Sequence, residues 1–205
     1  MIKKAFFILL LLSPVFLYSK NDKVSASLKE LDECIAKRSS FEDIKKQRIQ
    51  NLAARFYKNI SVSNQYKLSA SLFNEYRSYK YDSAYSFSLR MLQYADKLND
   101  PNLIAESKMN LAFSCLSAGL YKEASEISNS IDTTHLLSGC KADLYAFLST
   151  LNIDMADFST EPYSTKYRIN SLRYCRNSMP LYINSSPEGI MARIRECQLE
   201  NNYTK

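Results

Sequence analysis

Tryptophan is absent from this chain of 205 residues, glycine occurs three times and proline five times. So few turn formers argue against a loop-rich or all-β fold, which needs them at every reversal. Histidine is almost missing: His135 is the single one. The five cysteines, Cys34, Cys115, Cys140, Cys175 and Cys197, include no Cys-x-x-Cys pair. With one imidazole and scattered thiols, no metal site and no cofactor is expected. There is no Gly-x-Ser-x-Gly elbow, no His-Glu-x-x-His and no phosphate-binding glycine loop, so the common hydrolase and nucleotide-binding signatures are missing. Long apolar runs are missing too, apart from one at the very start.

That run extends from Ala5 to Leu17, after Lys3 and Lys4, and Pro14 interrupts it. A spanning helix needs about 20 apolar residues, so the run is short for a membrane anchor. A basic start, a short apolar stretch and polar residues from Ser19 onward read as an export signal peptide over residues 1–19. The chain is then expected in the periplasm or otherwise outside the cytoplasm, with no transmembrane helix after cleavage. Disulfides are allowed there. An odd number of widely spaced cysteines gives no framework; Cys140–Cys175 or Cys175–Cys197 are the pairings to consider, and Cys115 reads as a small core residue. The formal charge is +6, of which Lys3 and Lys4 supply two. This is mildly basic and does not imply nucleic acid. Lys166, Arg168, Arg173 and Arg176, interleaved with Tyr167 and Tyr174, form the one stretch that could grip a single strand, but no nucleic acid is expected for an exported chain.

From residue 20 the pattern is helical throughout. Leu28, Leu31 and Ile35 are spaced by three and four, and after Ser39-Ser40 the pattern resumes with Phe41, Ile44, Ile49, Leu52 and Phe56. Residues 20–60 therefore read as charged amphipathic helices, either a hairpin or one longer helix; Ser40 and Asp43 suggest a capping box between two. The next helices carry Leu68, Leu72 and Tyr76, then Ala84, Phe87, Met91, Tyr94 and Leu98, with Asp82 as a candidate cap. Asn99-Asp100-Pro101 marks a boundary, Asp100 fitting an N-cap and Pro101 the first helical position. Helices with Ile104, Lys108, Leu111 and Cys115, then Ala124, Ile127 and Ile131, then Ala142 to Met155, then Ser164 to Asn177 follow, and a short last one holds Ile190, Ile194 and Cys197.

Two segments within this run look alike: Tyr79-Lys80-Tyr81-Asp82-Ser83-Ala84 and Gly119-Leu120-Tyr121-Lys122-Glu123-Ala124. Each falls between two helical patterns, and the two alanines are forty positions apart. Helix–turn–helix units at such a period bury their apolar faces only by stacking. Leu111-Ala112, Gly119, Tyr121, Ala124 and Ile131 resemble a tetratricopeptide repeat; a weaker copy surrounds Leu72, Ala84 and Met91, and a fainter third runs from Ala142 to Phe158. The fold class expected is all-α: antiparallel helix pairs stacked as a short superhelix over residues 61–205, with the last repeat incomplete.

A second resemblance covers nearly the whole length. Leu31-Asp32-Glu33-Cys34-Ile35-Ala36-Lys37-Arg38, Tyr79-Lys80-Tyr81-Asp82-Ser83-Ala84 and Lys97-Leu98-Asn99-Asp100-Pro101 resemble an uncharacterised Bacteroidetes family of exported or membrane-bound regulators. That resemblance implies a signal peptide and a periplasmic tetratricopeptide-like region, and only this N-terminal part is matched. The family's membrane helix, coiled coil and DNA-binding end have no counterpart before Lys205, so the chain reads as a truncated input half.

The function expected is a non-catalytic module that binds a protein or peptide partner, with self-association through an uncapped last repeat as a further expectation. The alternative is a secreted hydrolase using Cys140 and His135. In a tetratricopeptide stack the first helix of each pair lines the concave groove. Counting back from Ala124 puts Glu106, Met109, Phe113 and Leu116 there, and the forty-residue offset adds Tyr66, Ser69, Phe73 and Tyr76. Phe73 and Phe113 would then form an aromatic ladder. The alternatives are that Leu72 pairs with Leu111, one residue out, or that the phenylalanines belong to the core.

Overall fold

The computed structural model describes residues 23–56 and 61–203. The expected signal peptide, residues 1–19, lies outside the described residues. Every regular element among them is helical: α1 (residues 23–36), α2 (Arg38–Phe56), α3 (Val62–Tyr76), α4 (Tyr81–Leu98), α5 (Pro101–Ser117), α6 (Tyr121–Asn129), α7 (Ser138–Asp157), α8 (Tyr163–Ser178), a 3-10 turn (Met179–Leu181) and α9 (Pro187–Tyr203). No helix among them is long and apolar enough to cross a membrane.

The chain divides into two compact units between Gln50 and Asn51, inside α2. Among the described residues of the first, no hairpin forms. The Lys37 amide donates to the Glu33 carbonyl and the Phe41 amide to the Lys37 carbonyl, both at 3.2 Å, so the helical ladder carries on past the turn at Lys37. Ser40, read as the start of a second helix, is inside this ladder and caps nothing.

The second unit stacks antiparallel pairs: α3 on α4, α5 on α6 and α7 on α8, with α9 laid against α8. Local chemistry sets each junction. Asn99 closes α4 in the left-handed region at φ 51, which asparagine tolerates better than most residues. The Asp100 carboxylate then accepts the amides of Asn102 at 2.8 Å and Leu103 at 3.3 Å, and Pro101 opens α5 where no amide is needed. Gly119 turns the chain after α5 at φ +77, a conformation that costs a side-chain-bearing residue. Asp82 differs from its expected role: Lys80 holds the cap position of α4, and Asp82 lies in the first turn, where the helix dipole favours its charge.

The two core clusters explain why the pairs stay together. One gathers Tyr66, Phe73, Ala84, Met91 and Ala95 around α3 and α4. The other joins Met109, Cys115, Leu116, Ala124, Leu144 and Leu151 across α5, α6 and α7. Close approach relies on small residues, and many are serine. Ser69, Ser107, Ser114 and Ser128 are buried, and each hydroxyl donates to a carbonyl four residues back in its own helix, at 2.6–3.1 Å. A serine so satisfied packs like an alanine. Ser149 and Ser171 go further and bond to each other across α7 and α8 at 3.1 Å.

Candidate functional site

Equivalent positions follow from the register of the first helices. Leu72, Leu111 and Leu148 are equivalent, 39 and 37 positions apart, and so are Leu68, Ser107 and Leu144, and Phe73, Ala112 and Ser149. All nine are buried. The second helices keep the forty-residue spacing, Ala84 with Ala124 and Ser88 with Ser128, again all buried. The first helices are therefore one residue out of step with the second. The cause is the turn: α3 lacks the glycine and ends four residues after its leucine, whereas α5 runs six residues past Leu111 before Gly119 reverses the chain.

This corrects half of the expected lining. Phe73 has no exposed surface, Tyr66 is 5 % exposed, and Ser69 is fully buried; all three belong to the core of the first pair. Met109 and Leu116 keep their expected register positions but are buried within the second core cluster. Tyr76 is half-buried and stacks on Phe87, with ring centroids 5.7 Å apart. Glu106 is exposed and Phe113 half-exposed. Phe73 and Phe113 do meet, edge to face at 6.5 Å, but as a core ring supporting a surface ring and not as two rungs of an open ladder.

At equivalent positions of α3, α5 and α7 stand Lys67, Glu106 and Asp143, then Asn74, Phe113 and Thr150, all at least partly exposed. Several are held in place. Tyr66 donates its hydroxyl to Glu106 at 2.9 Å, and Tyr182 donates to Asp143 at 2.7 Å. The guanidinium of Arg77 lies 4.4 Å above the Phe113 ring. Thr150 accepts from the Arg195 guanidinium, which also donates to the Ala146 carbonyl at 3.2 Å. Two residues that the sequence did not single out, Arg77 and Arg195, thus shape the face. A signal existed for Arg77, which falls at the turn where the first helix ends.

The thiols and the histidine do not converge. All five cysteines are free: Cys34 and Cys197 exposed, Cys115 and Cys175 buried, Cys140 between. The Cys140 thiol donates to the Asn102 carbonyl at 3.8 Å, and burial, aided by Asp143, pushes its pKa up to about 11. That is the opposite of an activated nucleophile. His135 is exposed and lines a different feature, a cavity of about 220 Å³ beside Lys108 and Asp132. The basic stretch on α8 is engaged internally. Arg168 pairs with Asp157 at 2.8 Å, Arg176 with Glu196 and Glu200, and Arg173 covers Tyr174.

Compared with known proteins, residues 35–205 match the family model described as the SusR N-terminal TPR domain. No curated protein and no solved structure matches the chain.

Proposed function

We propose, from the premise that this chain belongs to the family of SusR N-terminal TPR domains, that it is the exported input module of a membrane-bound transcriptional regulator. A tetratricopeptide-type domain is a helical repeat module for protein interaction, and such domains are generally non-catalytic. On our reading the chain binds a protein or peptide segment along the face formed by α3, α5 and α7, and catalyses nothing.

One observation carries this reading: side chains at the lining positions are exposed yet fixed. Glu106 is held by Tyr66, Asp143 by Tyr182, and Phe113 is covered by Arg77. A surface with no partner gains little from ordering exposed side chains. A binding surface gains, because the entropy of ordering is then not lost on association. Glu106 and Asp143 would face basic side chains of the partner, and Phe113 an apolar one. The periplasm is the compartment that fits a signal peptide at residues 1–19.

The test uses two variants, Phe113→Ser and the double variant Glu106→Gln with Asp143→Asn. Melting temperature and recovery of partners from periplasmic extract are measured for each. Loss of partners at an unchanged melting temperature is expected. Full recovery of the same partners by both folded variants would overturn the groove assignment.

A further inference from the structure

Where α9 packs against α7, α8 and the 3-10 turn, it borders an open-sided cavity of about 280 Å³ lined in part by Ala146, Cys175, Tyr182, Glu188, Met191 and Arg195. Most polar groups in its wall are already spent. The Tyr182 hydroxyl goes to Asp143 at 2.7 Å, the Cys175 thiol to the Ala192 carbonyl at 3.4 Å, the Ser178 hydroxyl to the Cys175 carbonyl at 2.7 Å, and Ser149 to Ser171. The wall therefore presents hydrocarbon and sulfur to whatever enters. Two charges remain, Glu188 and Arg195. They are seven residues apart on one face of α9, about 10 Å along its axis, with Met191 between them.

The two charges differ in how they are satisfied. Glu188 is exposed in the first turn of α9, where solvent and the helix dipole stabilise a carboxylate. Arg195 is half-buried and forms no ion pair among the described residues; its contacts are one carbonyl and one hydroxyl of α7. Arg168 and Arg176 on neighbouring α8 are both paired with carboxylates. Asp154 is near enough to interact with Arg195 electrostatically, but no hydrogen bond or salt bridge joins the two. A half-buried guanidinium with donors to spare and no carboxylate in contact can seat an anion.

We infer that this cavity binds a small amphiphilic monocarboxylate, its carboxylate on Arg195 and its hydrocarbon body over Met191. A volume of this size holds on the order of nine non-hydrogen atoms at ~30 Å³ each. A second carboxylate would meet Glu188 at the far end, so dicarboxylates are disfavoured. The ligand bridges α7 and α9 and tightens the last helix onto the stack. This site adjoins the proposed peptide-binding face, since Arg195 also donates to Thr150 and Tyr182 to Asp143, and the two readings are separated because occupancy of the cavity is read without any protein partner.

The probe is heptanoate, titrated calorimetrically into the full chain beside 1-heptanol and heptanedioate, with thermal melting in parallel. One-to-one binding of heptanoate is expected, with a raised melting temperature. Affinity for the alcohol and the diacid should be at least tenfold lower. Arg195→Gln should lower heptanoate affinity at least tenfold without changing that for the alcohol, and Arg195→Lys should restore part of it. Equal affinity for heptanoate and 1-heptanol would show an apolar void with no anion site and overturn the assignment, as would no saturable binding of heptanoate. The wild-type comparison decides the question even if Arg195→Gln fails to fold.

Discussion

Tyr66 donates its hydroxyl to Glu106, forty residues further on, at 2.9 Å. The bond ties the first helix of one repeat to the first helix of the next. Burial, then the charge of Glu106, raises the Tyr66 pKa well above its ordinary value. Tyr182, which follows the 3-10 turn, likewise donates to Asp143 of α7, with burial again the larger cause of its raised pKa. A raised folded-state pKa means that the stabilisation is complete below the unfolded tyrosine value of about 10 and is lost as pH climbs toward the folded one. The melting temperature should therefore hold level from neutral pH to about 8, begin to fall above about 8.5 through the buried thiols Cys115, Cys140 and Cys175, and fall further above about 10 through the two tyrosines. Tyr66→Phe combined with Tyr182→Phe should lower stability at neutral pH by about 1 kcal/mol per bond and flatten the alkaline fall. An alkaline limb as steep as that of the wild type would assign the transition to other groups.

Ala124 has no exposed surface where α6 crosses its neighbours. Ala124→Arg must both overpack this contact and bury a charge, at a cost of about 3 kcal/mol or more. For a chain of this size that lowers the melting temperature by roughly 6–12 °C. Ala84→Arg, at the equivalent position of the first pair, should do the same. A wild-type melting curve for either would break the register that equates them.

Gly119 and Gly189 should respond to alanine for different reasons. A Cβ at Gly119 meets nothing, so the cost of Gly119→Ala is the left-handed backbone alone, about 1–2 kcal/mol. At Gly189 the backbone is ordinary, but a Cβ would run into the Ile183 carbonyl oxygen. Gly189→Ala must shift the entry to α9, and chemical denaturation should show the larger loss there. The reverse order would mean that the α9 entry is loosely packed.

Thiol labelling provides an inexpensive check of the stack. Cys34 and Cys197 should react rapidly with a thiol reagent in the native protein, Cys140 slowly, and Cys115 and Cys175 only on unfolding. Burial raises the pKa of the three slow thiols, so raising the pH to 9 should leave the order unchanged. Fast native labelling of Cys175 would show that α9 is open.

The fold was legible because its signals are local. The three- and four-residue stripes, the Asn99-Asp100-Pro101 junction and the Gly119 turn each act within one helix or one turn, and each is where the sequence places it. The candidate site was only half legible, because it depends on register between distant helices. Ala84 and Ala124 set one spacing, Leu72 and Leu111 another, and the missing glycine in the first turn accounts for the one-residue difference. Serine hid part of the core as well: Ser69, Ser107 and Ser149 behave as small apolar residues once their hydroxyls are bonded within their own helices or to a neighbour. Composition counts them as polar. The Arg195 contacts to Ala146 and Thr150 join residues more than forty positions apart and leave no trace in any local pattern.

The unequal spacings also limit how freely the units can be exchanged. First helices recur at 39 and then 37 positions, second helices at forty, and α6 is half the length of α4. An alignment at a constant forty residues would set the surface position Phe113 against the core position Phe73, and Leu72 against the closely packed Ala112. Only a segment that carries its own turn, from one leucine to the next, would keep the faces in phase. The repeats are therefore related but not interchangeable, and a consensus averaged at one fixed length would mix core positions with groove positions.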